Sequence, residues 1–135
     1  DKFPRLHYIN LNWNNILLVE NRCFKGTILR EIELGFNALT GFPEFSKVKD
    51  TLENVRINSN KITSISRRDI ANLASLFRID LSHNQISSIE TKCFKKTNLR
   101  WISLNNNKLT DFPDFSEVKD TLEAVYINNN LITNI

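Results

Sequence analysis

Methionine is absent from these 135 residues, and glycine and proline number three each. A chain built of many ordinary hairpins needs more of both, because tight turns rely on left-handed or fixed-φ positions. Some other device must bend this backbone. No apolar run approaches the ~18 residues of a membrane-spanning helix, so no membrane insertion is expected in this segment. The chain opens on Asp1 without a secretory-signal pattern, and it reads as a processed product or an excised piece. A block of one charge is also missing. The net charge of +3 comes from interspersed Lys, Arg, Asp and Glu, with small basic clusters only at Arg67–Arg68 and Lys92/Lys95/Lys96. Nucleic-acid binding would ask for a continuous basic stripe with interleaved aromatics, and no nucleic-acid partner is expected.

Catalytic signatures are equally scarce. There is no Gly-x-Ser-x-Gly, no phosphate-binding glycine loop and no His-Glu-x-x-His. The carboxylates are scattered, where solvated charge is the ordinary role. Two thiols without a second ligand pair do not make a zinc site. The chain is expected to be no enzyme and to carry no catalytic residue, metal or cofactor.

What is present is periodic. Hydrophobic residues make up 41% of the chain, Ile and Leu dominate them, and Asn is abundant. The apolar residues fall into six segments of the form L-x-x-I-x-L-x-x-N-x-I: 6–16, 29–39, 52–62, 76–86, 99–109 and 122–132. Their starts lie 23, 23, 24, 23 and 23 residues apart. Within each, alternation with period two marks a short half-buried strand. One strand per coil cannot bury its apolar face alone, so neighbouring coils must stack.

On these six segments the chain resembles the leucine-rich-repeat superfamily, in the 23–24-residue form common in extracellular proteins. The resemblance implies an α/β-type solenoid, a horseshoe with a parallel concave β-sheet and mostly irregular or short-helical convex segments. It also implies that the asparagine column Asn14, Asn37, Asn60, Asn84, Asn107 and Asn130 hydrogen-bonds the backbone of adjacent coils. That ladder would replace the missing turn residues. Phe24, Phe45, Phe94 and Phe115 are expected to form a convex spine, with Ile70 and Leu73 taking that place in the third coil. Phe42-Pro43 and Phe112-Pro113 should end a strand, since proline cannot donate to a ladder.

Cys23 and Cys93 occupy equivalent places in coils one and four. Three coil spacings separate them by roughly 14 Å, too far for a disulfide, which needs Cα atoms within ~7 Å. Both read as small buried spacers beside the phenylalanines. His7 and His83, in the same two coils, cannot share a site.

The domain reading is a single leucine-rich-repeat domain, 1–135, of six coils. It is built as two units of one 70-residue period (1–70 and 71–135) and has no recognisable caps. Across the 65 residue pairs that this period aligns, 34 are identical. Among the 15 pairs expected on the concave face only three match, Arg30/Arg100, Glu53/Glu123 and Asn58/Asn128. A copied scaffold with a changed face suits binding. Simple drift of exposed positions is the alternative, against which stand the unchanged Lys49-Asp50-Thr51 and Lys119-Asp120-Thr121. The candidate ligand-binding residues are Tyr8, Trp13, Phe36, Arg56, Arg78, His83, Trp101 and Tyr126, with Trp13 and Phe36 stacked in one column. Large rings among mixed charges suit a protein ligand.

Two functions follow. One is a non-enzymatic, extracellular protein-binding module, secreted or part of an ectodomain and a fragment of a longer repeat protein. The other is a structural protein whose uncapped ends join copies head to tail into filaments or fibres. An intracellular scaffold remains open, because the cysteines look unpaired and no Asn-x-Ser/Thr sequon occurs.

Overall fold

A computed structural model describes residues 3–135; Asp1, on which the reading of the chain start rests, and Lys2 lie outside the described residues. Each repeat contributes one three-residue strand: β1 (Tyr8–Asn10), β2 (Glu31–Glu33), β3 (Asn54–Arg56), β5 (Arg78–Asp80), β7 (Trp101–Ser103) and β8 (Ala124–Tyr126). They form one parallel sheet in chain order. The central residues Ile9, Ile32, Val55, Ile79, Ile102 and Val125 are in register across it. The residues on either side of each face the other way, as period-two side chains must. The expected solenoid is thus the observed one.

The core is a rod of leucine and isoleucine columns along the stack. Leu52, Val55, Ile57 and Ile62 of coil three are fully buried, whereas Leu122, Val125, Ile127 and Ile132, their counterparts in coil six, are half-buried. The return segments hold a four-residue helix, α1 (Arg67–Ile70), and single 3-10 turns at Ser46–Val48 and Ser116–Val118. Phe24, Phe45, Ile70, Leu73 and Phe94 line the expected spine, and Phe94 stacks on Phe115 with centroids 5.2 Å apart.

A second, two-stranded parallel sheet, β4 (Ser64–Ile65) with β6 (Ser88–Ile89), was not anticipated. Its ladder continues through the Glu90 N–H, which donates to the Ile65 carbonyl at 2.9 Å. Coils two and five carry Pro43 and Pro113 at the place of Glu90. With no N–H to give there, they form no such strand.

The ladder explains how the chain turns with so few glycines. The Asn60 amide donates to the carbonyls of Ile57 and Asn58 in its own coil and Leu34 in the coil before, while its oxygen accepts from the Leu39 N–H. Asn37, Asn84, Asn107 and Asn130 repeat this set. Each side chain clasps the turn around the residue preceding it. That residue is left-handed in every coil: Trp13, Phe36, Ser59, His83, Asn106 and Asn129 all have φ between 55° and 60°. Asn14 is the exception within the column. It is exposed and bonds only Leu11 and Asn12, because no coil precedes its own in the structure.

Cys93 is buried, with its Sγ donating to the Ile65 carbonyl at 3.7 Å, but Cys23 is exposed. The expectation that both are buried spacers is corrected for Cys23. Coil three covers Cys93, and coil one has no such neighbour in the structure.

Candidate functional site

The eight candidate residues fall into two groups on the concave side. In coils one to three, Tyr8 donates its phenol to Glu33 Oε2 at 2.6 Å. Arg56 reaches the same carboxylate at 3.2 Å and Glu31 at 3.7 Å. One coil spacing therefore holds one cation over two carboxylates. The phenol of Tyr8 is pushed above its ordinary range, chiefly by its hydrogen bond to Glu33. Beside this group Trp13 and Phe36 stack at 3.9 Å with planes 5° apart, as expected from their shared column. Their left-handed backbones carry both rings out to solvent, where Trp13 is 74% exposed.

In coils four to six, the Arg78 guanidinium lies 4.3 Å from the Trp101 ring centroid. Trp101 in turn meets Tyr126 at 5.3 Å, tilted by 45°. These contacts come from parallel register: Arg78 is opposite Trp101, and Tyr126 is one pleat away on the next strand. His83 sits apart at the edge, its Nε2 3.3 Å from the Asn106 amide. The structure thus joins Tyr8 to Arg56 through Glu33, Trp13 to Phe36, and Arg78 to Trp101 and Tyr126. Among the described residues no hydrogen bond, ring contact or cation–π contact links His83 to any of them.

Some positions on and beside these strands are closed. Gly35, Ser82 and Ser103 are buried. A Cβ on Gly35 would sit 2.8 Å from Asn58 Oδ1 and 3.3 Å from Asn12 Oδ1. Glycine there lets the asparagines of the neighbouring coils close over the backbone, and its N–H donates to Asn12 Oδ1 at 2.7 Å. The Asn54 Oδ1 on β3 is buried without a hydrogen-bond partner. The unchanged Thr51 and Thr121 also have a structural cause: their hydroxyls donate to the carbonyls of Leu29 and Leu99 in the preceding coil, at 2.7 and 2.8 Å. Their retention therefore says nothing against drift.

A hollow of about 530 Å³ lies elsewhere, on the convex side between coils two and three. Phe42, Pro43, Phe45 and Leu73 line it, with Lys49 and Arg68 also on its wall. Among the described residues there is no group of three or more His, Cys, Asp or Glu placed to hold a metal ion. No helix among them is long and apolar enough to cross a membrane.

A solenoid of parallel strands, with an asparagine ladder and an exposed face of rings and charges, defines a repeat protein that presents a surface. A model described as "Leucine rich repeat" matches residues 50–109. Leucine-rich repeats and immunoglobulin-like domains protein 2 of Mus musculus is 29% identical over 121 residues, covering 88% of this chain and 11% of its own. Biglycan of Xenopus laevis is 32% identical over 118 residues, covering 87% of this chain and 32% of its own. Lumican of Gallus gallus is 28% identical over 143 aligned positions, covering 100% and 40%. Among solved structures, a leucine-rich-repeat protein of Leptospira interrogans superposes with a TM-score of 0.79 at 25% identity, over 95% of this chain and 32% of that one. The chain belongs to the leucine-rich-repeat superfamily. It spans between 11% and 40% of the length of these three curated relatives.

Proposed function

We propose that the chain is a non-enzymatic module that binds a protein ligand in its concave face, as part of a longer extracellular repeat protein. The observation that carries this is the pairing of Arg78 with Trp101 and Tyr126. It places a half-exposed cation and two rings, residue types enriched at binding hot spots, in one contiguous patch. The extracellular placement is supported by the relatives, which are matrix and ectodomain-type proteins. The two-unit division at residues 70 and 71 belongs to the same proposal: the frame was copied, and the concave face was given two different charge and ring arrangements.

The test is capture from a panel of purified extracellular proteins. Trp101→Ala and Trp13→Ala should each abolish capture by the wild-type ligand while leaving the circular dichroism unchanged. Undiminished capture by both variants would count against the concave site.

Head-to-tail assembly is the second reading, favoured by the half-buried apolar residues at the coil-six end. Coil one repeats the inward residues of coil four, Leu6/Leu76, Ile9/Ile79, Leu11/Leu81 and Ile16/Ile86. Since coil four covers coil three, coil one of another copy has the right side chains to cover coil six. Further repeats of the same chain would serve as well. Light scattering that shows a monomer at every concentration would remove the filament reading.

A further inference from the structure

The sequence separates its two basic clusters by more than twenty residues, but the fold sets them side by side on the convex surface. The pairing of β4 with β6 starts the alignment. Helix α1 then runs along the Glu90–Lys96 turn of coil four. The Arg67 N–H donates to Glu90 Oε2 at 2.9 Å, Arg67 Nε to the Thr91 carbonyl at 3.3 Å, and the Asn72 N–H to the Lys95 carbonyl at 2.9 Å. Arg67, Arg68, Lys92, Lys95 and Lys96 are all exposed along this seam.

Five cations thus face two carboxylates, and both carboxylates are engaged. Glu90 pairs with Arg67 at 3.4 Å. Asp69 accepts the Ser66 N–H at 2.7 Å in a capping box at the start of α1. Among the described residues Arg68, Lys92, Lys95 and Lys96 make no ion pair, Glu117 on the next coil included.

Two of the lysines stand on left-handed backbone, Lys92 at φ 63° and Lys96 at φ 58°. The counterpart of Lys96 in the first unit is Gly26, at φ 83°. Glycine takes that conformation freely, whereas a side chain with a Cβ is strained in it. The position holds lysine against the local preference of the backbone, which a role for its charge explains.

We propose that this convex seam docks a sulfated polysaccharide. The three lysines offer charge alone. Phe94, the ring within the lysine cluster, is 1% exposed, so bases would find no aromatic platform. Ile70 and Cys93 are buried as well, and the hollow of Phe42, Pro43, Phe45 and Leu73 meets the seam at Arg68 and at none of the three lysines, so the lysines themselves offer an acidic peptide no apolar pocket. A flexible chain carrying its charge on projecting sulfates needs neither. The inference does not depend on what the concave face binds.

Retention of the full chain on immobilised heparin tests it, with duplex DNA of matched charge and polyglutamate as competitors. K92Q/K95Q/K96Q should weaken binding about tenfold or more at fixed salt and flatten the salt dependence. The equal charge change K25Q/K47Q/K119Q, elsewhere on the convex side, should do far less. Lys96→Gly should raise the melting temperature yet lower retention, and Trp101→Ala should leave retention unchanged. Equal losses in the two triple variants, DNA or polyglutamate displacing the protein as well as heparin does, or a stabilised Lys96→Gly protein with full retention would each overturn the proposal.

Discussion

Trp13 and Phe36 lie face to face, 3.9 Å apart and 5° from parallel, each on a left-handed backbone. Neither ring is needed to fill the core, because both project from the turn that the following asparagine clasps. A double-mutant cycle with Trp13→Ala and Phe36→Ala, read by chemical denaturation, should show a coupling of about 0.5–1.5 kcal/mol. A coupling of zero would mean that the rings do not pair in solution.

The asparagine ladder should lose stability in a graded way. Asn60 is buried, and its removal leaves the Leu39 N–H without its partner, while the Leu34 and Ile57 carbonyls each keep one donor, from Asn37 and Asn84. Asn60→Ala should cost about 2 kcal/mol, since an orphaned buried donor costs on the order of 1–3 kcal/mol. Asn14 bonds only within its own coil and is exposed, so Asn14→Ala should cost less than about 1 kcal/mol. Equal losses in urea denaturation would contradict the assignment of the cross-coil bonds as the source of stability.

The same contrast shows what could be read from the residues alone. Ile32, Val55 and Ile79 announce their strands by alternation, and the asparagines announce the ladder by their spacing. The Trp13–Phe36 stack followed from that register. The left-handed turn did not, because Trp and Phe have no local preference for it and the asparagine imposes it from the next position. The β4–β6 pair was hidden for a related reason. Two residues carry no period, and their pairing depends on Glu90 having an N–H where Pro43 and Pro113 have none. Cys23 and Cys93 share a Cys-Phe-Lys context, so only their places in the stack separate an exposed thiol from a buried one. On the concave face the register placed Arg78 opposite Trp101, but which carboxylate Arg56 chooses depends on side-chain packing across three coils.

The two cysteines should differ in reactivity. Burial first, and then the charges of Glu90 and Asp69, push the Cys93 thiol up to about 12 from 9.0. The folded protein therefore holds this proton more tightly than the unfolded chain does. Its contribution to stability is full below pH ~9 and is lost as the pH rises from there through ~12. Native protein at pH 8 should titrate one thiol rapidly with Ellman's reagent, Cys23, and a second only after denaturation. Cys93→Ala should flatten the alkaline fall in stability. Rapid reaction of both native thiols would place Cys93 at the surface.

The two tryptophans give an optical test of the concave geometry. Trp13 is 74% exposed, while Trp101 is half-buried between Arg78 and Tyr126. In Trp101→Phe protein, the remaining Trp13 emission should be red-shifted and strongly quenched by acrylamide. In Trp13→Phe protein, the Trp101 emission should be bluer and less quenched. Arg78→Ala should move the Trp101 signal toward that of Trp13 and cost only about 0.5–1 kcal/mol, the value of a cation–π contact near the surface. Arg78→Lys keeps the charge but loses the planar stacking, and it should fall between the two. If Arg78→Ala leaves the Trp101 quenching unchanged, the guanidinium does not cover the ring, and the contiguous patch at the centre of the proposed binding face is absent.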